Sequence, residues 1–204
     1  MGDTMYESKT ALRVALLSQR NSLSIEKAES WSRSIQARLI ETSLFQSADS
    51  IALYSCVQNE AGTERIRDHA LHSGKRVFYP RLVPNRSLEF VEIGSATELV
   101  RGKSGIAEPI GDKVLSRCSG LDLLLITPGV AFDPKGNRLG RGQAWYDRVI
   151  RQWGSRAIPV GLAYEFQVID RIPVDPWDQK VLFISTQERF IDCQKMPEQA
   201  KQVC

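Results

Sequence analysis

A short apolar run followed by a long glycine- and arginine-rich segment constrains the fold most. The run, LDLLLI at residues 121–126, is interrupted only by Asp122, and the segment after it reads TPGVAFDPKGNRLGRGQAWYDR. A nearly continuous apolar run of this length is typical of a strand buried on both faces, as in a parallel sheet. Ligands bind beyond the carboxyl ends of such strands, so we expect the segment after residue 126 to carry function.

The rest of the chain alternates between strand-like and helix-like patterns. The first 45 residues predict two helices, the second capped by Ser24, and Thr63 is the expected cap of a later helix. This alternation is typical of an α/β layered domain around a largely parallel sheet, and it makes the loop after Tyr54 a second candidate for the ligand-binding edge. The other predicted helices span 63–73 and 143–153, and the other predicted strands span 51–54, 75–79, 88–93, 158–163 and 181–185.

Length and composition restrict the class of protein. A chain of 204 residues suits one domain, which we assign to residues 1–191, followed by a polar tail at 192–204. No apolar stretch approaches the roughly 20 residues that span a bilayer, and the N-terminus has no apolar signal core, so we expect no membrane partner. The net charge of +3 argues against nucleic acid as a partner. Four scattered cysteines without a CxxC pair are typical of reduced thiols in a cytoplasmic protein.

Three glycines and two arginines lie close together ahead of the helix predicted at 143–153. Gly136, Gly140 and Gly142 are interleaved with Arg138 and Arg141. Glycine lets a backbone approach a ligand closely, and helix N-termini and guanidinium groups both bind anions. The pattern matches neither the P-loop nor the dinucleotide fingerprint. It indicates a phosphate site or a surface loop with solvated arginines; a nucleic-acid-binding module is a third alternative.

Other charged residues also allow two interpretations. Lys9, Arg13 and Arg20 share one face of the first helix and form either an anion site or a solvated basic face. Asp147 is either a Mg²⁺ ligand or an acid that favours the helix N-terminus. Glu60 is either an acceptor for a ligand or a solvated loop acid. Basic residues are concentrated in two segments: residues 9–20 hold three and no acid, and residues 135–156 hold six and a single acid, Asp147.

Six motifs, in this order, resemble those of the 5-formyltetrahydrofolate cyclo-ligase family. The resemblance runs from about residue 9 to residue 186 and is strongest at residues 121–148. It implies a three-layer, Rossmann-like α/β fold with an N-terminal helical pair. The motifs are the helix pattern KxxLRxxxxxxRxxLS at 9–24, the loop with Glu60 and Thr63, GKRVFYPR at 74–81, GIAEP at 105–109, LDLLLITPGVAFDPKGNRLGRGQAWYDR at 121–148 and VGLAYEFQ at 160–167.

The resemblance implies an ATP- and Mg²⁺-dependent ring closure. ATP phosphorylates the formyl oxygen of 5-formyltetrahydrofolate, N10 then attacks, and 5,10-methenyltetrahydrofolate forms with ADP and phosphate. Lys9, Arg138 and Arg141 are implied to be catalytic because they would neutralise the γ-phosphate, and Asp147 to bind Mg²⁺. The implied ATP contacts are Lys9, Arg13, Arg138, Leu139, Gly140, Arg141, Gly142, Gln143, Trp145 and Tyr146; the implied folate contacts are Glu60, Arg141, Gly142, Gln143, Ala144 and Trp145.

Three positions depart from the family's pattern. The family motif GRGxGYYD is GRGQAWYD here, so Ala144 replaces a glycine and Trp145 replaces a tyrosine. A Cβ at residue 144 is expected to crowd the phosphates or to require an altered φ. Leu182 stands where the family often has a second metal-binding aspartate, four residues after Asp178. These differences leave a non-catalytic folate- or nucleotide-binding relative as the alternative function. We expect a monomer in the cytoplasm.

Overall fold

A seven-stranded sheet forms the centre of the protein. The computed structural model describes residues 8–84, 87–102, 106–116 and 123–195. The helices are α1 (Lys9–Asn21), α2 (Ile25–Ile40), α3 (Ser43–Ser47), α4 (Glu64–His72) and α5 (Trp145–Trp153). The strands are β1 (Ser50–Ala52), β2 (Arg76–Val83), β3 (Ser87–Ile93), β4 (Leu99–Arg101), β5 (Ala107–Pro109), β6 (Leu123–Thr127), β7 (Ala131–Phe132), β8 (Arg138–Leu139), β9 (Ala157–Leu162), β10 (Phe183–Ser185) and β11 (Phe190–Asp192).

The sheet is parallel at its centre and antiparallel at both edges. Its strand order is β11-β10-β9-β6-β1-β2-β3, in which β3 and β11 pair antiparallel and the inner strands pair parallel. All five residues of β6 are buried because β6 lies between two parallel neighbours, β1 and β9. The predicted α/β class, its mostly parallel sheet and its N-terminal helical pair are therefore confirmed. Two short hairpins, β4–β5 and β7–β8, were not predicted.

The chain leaves the neighbouring strands β1 and β6 in opposite directions. β1 continues through α4 to β2 on one side, and β6 continues through α5 to β9 on the other. Parallel crossovers are right-handed, so α4 and α5 cover opposite faces of the sheet and give three layers. The reversal opens a crevice beyond the carboxyl ends of β1 and β6, where doubly wound proteins bind ligands.

Thr63 is the N-cap residue of α4, as predicted, but its side chain makes no capping hydrogen bond among the described residues. Its hydroxyl donates instead to the carbonyl oxygen of Tyr54 at 2.9 Å. The N–H groups of Arg65 and Ile66 instead donate to Oε1 of Gln36 on α2. The contact between Gln36 of α2 and the first turn of α4 therefore takes the place of a local side-chain cap. No local sequence pattern predicts such a contact.

Other element boundaries differ from the prediction by a few residues. Ser24 does cap α2, its Oγ accepting from the N–H of Lys27 at 3.3 Å. α5 begins at Trp145, two residues late, because the backbone of Ala144 is left-handed. β2 continues through Pro80, since β1 pairs only with Arg76–Phe78 and the missing N–H interrupts no bond there. β11 ends at residue 192, one residue beyond the assigned end of the domain.

The described part of the chain offers no candidate membrane span, because none of its helices is both long and apolar enough. Cys56 and Cys193 are free thiols. Cys118, Cys204 and the polar tail beyond residue 195 lie outside the described residues.

Candidate functional site

A cavity of about 540 Å³ occupies the crevice beyond β1 and β6. Its lining comes from α1, the loop after β1, the segment after β6 and residues 175–178. The structure brings into this one cavity all the residues to which the resemblance assigned a role. They are Lys9, Arg13, Glu60, Arg138, Leu139, Gly140, Arg141, Gly142, Gln143, Ala144, Trp145, Tyr146 and Asp147.

The glycine-rich segment forms a polar wall of the cavity. Nε of Arg13 donates to the carbonyl oxygen of Gly140 at 2.8 Å, which fastens α1 to this wall. Gly142 has a φ of +97°, a conformation that is strained for any residue with a side chain. A Cβ at Gly140 would lie 2.9 Å from Nη1 of Arg138. Both glycines are therefore required by the local backbone and its neighbours.

Ala144 marks the start of α5 at this wall. Its φ of 51° and ψ of 24° place it in the left-handed region, as expected if the alanine has kept the backbone that a glycine would adopt. Ala144 has no side-chain group that could cap the helix. The N–H groups at a helix N-terminus attract anions.

Arg138 and Asp147 form a buried ion pair in the same wall. Nη2 of Arg138 lies 2.8 Å from Oδ1 of Asp147, and the side chains are 3% and 14% exposed. The same oxygen accepts the N–H of Gln179 at 3.1 Å. Among the described residues, no three acidic, histidine or cysteine side chains cluster to hold a metal. Mg²⁺ is usually held by one or two carboxylates plus phosphates, so a lone carboxylate such as Asp147 is compatible with an ion that it shares with a nucleotide.

Lys9 joins the first helix to a loop near the other end of the chain. Its ammonium group bonds to Asp175 at 2.6 Å and also to Asp178. Partial burial lowers the pKa of Lys9, but the two carboxylates outweigh this and the pKa is raised overall. Asp175 and its neighbour Trp177, which also line the cavity, were not predicted. A contact across 166 residues leaves no local signal in the sequence.

Glu60 is a buried carboxylate held between two arginines. Its side chain is 8% exposed, and Oε1 lies 3.3 Å from Nε of Arg141 and 3.6 Å from Nη2 of Arg20. Oε2 accepts the N–H of Val57. Burial raises the pKa of Glu60, and the positive charges of Arg20 and Arg141 only partly oppose this. The interpretation of Glu60 as a solvated loop acid is therefore wrong, and so is the interpretation of Arg20 as part of a solvated face.

Apolar and aromatic side chains also line the cavity. Trp145 is half-buried and packs against the core, and its indole N–H has no hydrogen-bond partner among the described residues. Tyr146 is buried, and burial raises the pKa of its hydroxyl strongly. Both aromatics therefore line the cavity and pack against the core at the same time. Further apolar lining residues include Val57, Pro80, Leu82, Leu88, Ile106 and Pro128, none of which was predicted as a site residue.

Leu182 is not among the described residues that line the cavity, whereas Asp178 is. Leu182 lies just before β10, where its N–H donates to the carbonyl oxygen of Pro159 at 2.8 Å. The aspartate that reaches the cavity from this part of the chain is already bound to Lys9. Leu182, which stands where the family often has an aspartate, therefore bonds to the central sheet in this chain.

The fold and the site define a class of protein, a doubly wound α/β protein with a glycine-rich cavity at the sheet's switch point, lined by four basic and five acidic side chains among the described residues. The profile of the 5-formyltetrahydrofolate cyclo-ligase family matches residues 5–187. The chain belongs to that family.

Individual relatives agree with the family assignment. The chain is 32% identical to the probable 5-formyltetrahydrofolate cyclo-ligase of Schizosaccharomyces pombe, over 92% of this chain and 98% of that protein. It is 32% identical to the 5-formyltetrahydrofolate cyclo-ligase of Escherichia coli K12, over 78% and 90%. The solved structure of 5,10-methenyltetrahydrofolate synthetase from Aquifex aeolicus superposes with a TM-score of 0.81 at 28% identity, covering 95% of this chain and 97% of that one.

Proposed function

We propose that the protein catalyses the ATP- and Mg²⁺-dependent cyclisation of 5-formyltetrahydrofolate to 5,10-methenyltetrahydrofolate, with release of ADP and phosphate. The observation that carries this proposal is a single cavity with a cationic, glycine-rich wall next to a buried carboxylate and an apolar wall. The names of the family and of its relatives support the same activity.

The cationic wall would bind the nucleotide. Phosphoryl transfer depends mainly on positioning and on neutralising charge, and the wall supplies Lys9, Arg138 and Arg141 for this purpose. Arg13 would hold the glycine-rich backbone against the phosphates through its bond to Gly140. Loss of one such positioned donor typically costs about 3–4 kcal/mol of transition-state stabilisation.

Asp147 would hold Mg²⁺ together with the nucleotide's phosphates. When bound, Mg²⁺ would neutralise charge on the β- and γ-phosphate oxygens. Arg138 orients the Asp147 carboxylate, because the two form an ion pair at 2.8 Å.

The other half of the cavity would bind the folate. Glu60, ionised by its two arginines, would accept N–H donors of the pterin ring, and the apolar wall would exclude water from the reacting formyl group. The γ-phosphoryl group of ATP is transferred to the formyl oxygen. N10 then attacks the formyl carbon, and that oxygen leaves with the phosphate.

An absorbance assay tests the proposal directly. The purified protein is mixed with 5-formyltetrahydrofolate, ATP and Mg²⁺, and the methenyl product is followed in the near ultraviolet. Arg141→Ala should lose most of the activity and keep its unfolding midpoint, because its side chain is partly exposed. Arg33→Ala, which removes an exposed arginine of α2, is the matched control and should keep full activity. Absence of an ATP-dependent rise with folded protein would exclude the proposal.

The second candidate is a non-catalytic folate- or nucleotide-binding protein. The left-handed backbone of Ala144 at the start of α5, beside the proposed phosphate site, favours it. It predicts binding by calorimetry without turnover, and recovery of turnover in A144G. Turnover by the unmodified protein would exclude it.

We also propose that the protein acts as a monomer in the cytoplasm. A single copy of the chain supplies every residue that the proposed reaction uses. Size-exclusion chromatography with light scattering would test the oligomeric state.

A further inference from the structure

Arg20 is the most deeply buried cation in the described part of the chain. Its residue is 1% exposed although it lies on the first helix, whose basic face also carries Lys9 and Arg13. Lys9 and Arg13 line the cavity, and Arg20 does not appear among the described lining residues. Burial lowers the pKa of Arg20, but an arginine stays charged at any physiological pH. A buried charge of this kind needs partners, and the partners define its role.

Two hydrogen bonds direct the guanidinium group of Arg20 toward the backbone around the cavity. Nε donates to the carbonyl oxygen of Gln58 at 3.1 Å, and Nη1 donates to that of Gly129 at 3.2 Å. Nη2 has no hydrogen-bond partner among the described residues and lies 3.6 Å from Oε1 of Glu60, an ion-pair distance. In return, the amide group of Asn59 donates to the carbonyl oxygen of Arg20 at 3.3 Å. The side chain thus connects α1 with the loop after β1 and with the segment after β6.

The loop that Arg20 holds has an unfavourable backbone. Gln58 and Asn59 have φ values of 49° and 55°, both in the left-handed region. Asparagine tolerates this region, but glutamine does so poorly. Glu60 follows directly, so its side chain enters the cavity from a turn that the surrounding structure must impose. Two hydrogen bonds help to impose this turn: one from Arg20 to Gln58 and one from Asn59 to Arg20.

The two arginines at Glu60 differ in their freedom to move. Arg141 is 36% exposed, whereas the side chain of Arg20 is 1% exposed. If Arg141 turns to a phosphate group, as the proposed function requires, Glu60 keeps Arg20 as its counter-charge. Glu60 would otherwise be a desolvated carboxylate with the N–H of Val57 as its remaining described hydrogen bond.

We propose that Arg20 is a positioning residue, which holds the turn before Glu60 in its left-handed conformation and keeps Glu60 ionised when Arg141 binds phosphate. The role in catalysis rests on the proposed function, whereas the effect of Arg20 on Glu60 does not. The other titratable groups around Glu60 are Cys56, Tyr54, Tyr146 and Tyr164. Burial raises the pKa of each of them, that of Tyr164 to about 12, so they stay neutral while Glu60 titrates.

The first experiment follows the ¹³C signal of the Glu60 carboxyl group by NMR as a function of pH, assigned through E60Q. In R20M the titration midpoint should rise by about one unit, because an opposite charge within 6 Å lowers a carboxyl pKa by about that much or more. In R20K it should stay near the wild-type value, because the charge is kept. A midpoint in R20M equal to that of the wild type would overturn the proposal.

The second experiment separates kcat from KM. The ammonium group of lysine lacks the planar fork that reaches Gln58, Gly129 and Glu60 together, so R20K should raise KM for 5-formyltetrahydrofolate about tenfold, the size of one lost charged hydrogen bond. Its kcat should change little. R33M, which removes an exposed arginine of α2, is the control and should match the wild type in both experiments. An unchanged KM in R20K would overturn the proposal.

Failure of the proposed function is distinguishable from failure of the inference about Arg20. If the proposed function is wrong, the wild-type protein shows no turnover, and the NMR titration alone decides the inference. If R20M does not fold, R20K decides it through KM. If R20K does not turn over, its folate affinity by calorimetry takes the place of KM, and an affinity equal to that of the wild type would overturn the proposal.

Discussion

Arg138 and Asp147 lie on opposite sides of the glycine-rich turn and meet in an ion pair of 2.8 Å that is almost fully buried. The pair links β8 to the first turn of α5 across the glycine-rich turn. Both residues also line the cavity, so the same ion pair belongs to the fold and to the proposed phosphate site.

Asp147→Asn should weaken both Mg²⁺ binding and the stability of the fold. The amide keeps the shape of the carboxylate but leaves Arg138 without its counter-charge, so we expect a loss of about 1–3 kcal/mol in the free energy of unfolding. The Mg²⁺ concentration for half-maximal activity should rise at least about tenfold, since an amide is a weaker ligand than a carboxylate. Urea unfolding and a Mg²⁺ titration of activity measure the two effects. The same Mg²⁺ requirement in both proteins would exclude Asp147 as a ligand.

Ala144→Gly should stabilise the protein. Residue 144 has a φ of 51°, and an L-residue in the left-handed region costs about 1 kcal/mol, which glycine does not pay. We expect the free energy of unfolding to rise by about 0.5–1 kcal/mol. Ala11→Gly, at an exposed position of α1, should do the opposite by a similar amount. A loss of stability in A144G would contradict the proposed strain.

The burial of Glu60 predicts a specific pH dependence of stability. Its pKa is raised above 4.5 in the folded state, so the folded protein binds more protons than the unfolded chain between 4.5 and the raised value. The contribution of Glu60 to the free energy of unfolding is therefore largest below that window and is lost as the pH rises through it.

E60Q removes this titration. The free energy of unfolding of the wild type, relative to that of E60Q, should fall as the pH rises from about 4 to 7. Urea unfolding at several pH values gives the difference, in which the other titrating groups cancel. A difference that does not vary with pH would show that Glu60 has an ordinary pKa.

Lys9 and Asp178 should be energetically coupled. A double-mutant cycle with K9M and D178N, followed by urea unfolding, should give a coupling of about 1 kcal/mol, since both side chains retain some exposure to water. Lys27→Met with Asp178→Asn is the matched control pair and should be additive, because Lys27 lies over Trp31 instead. Additivity in the first cycle would mean that the contact contributes nothing to stability.

Elements with a local signal were predictable from the sequence. The apolar run of β6 could be assigned because a strand between two parallel neighbours is apolar on both faces. The start of α2 could be assigned because Ser24 caps it with its own side chain. α4 was predicted at the correct position, but the side chain that bonds to its first turn is Gln36 on α2 and not the local Thr63.

Parts of the site that depend on distant contacts could not be predicted. The glycines and arginines of residues 136–142 lie together in the sequence, so their pattern was visible. Asp175 meets Lys9 across 166 residues, and Arg20 meets Gly129 across 109, and no spacing rule connects such positions. Spacing placed Arg20 on the same helix face as Lys9, but burial distinguishes the two residues.

The bonds from Lys9 to Asp175 and Asp178 also affect when the cavity can form during synthesis. A ribosome makes the chain from its N-terminus, so α1, β1 and the glycine-rich segment all emerge before residues 175–178. A nascent or prematurely terminated chain can therefore build much of the central sheet but lacks one wall of the cavity. The growing polypeptide therefore gains a complete ligand-binding cavity only after residues 175–178 have been made.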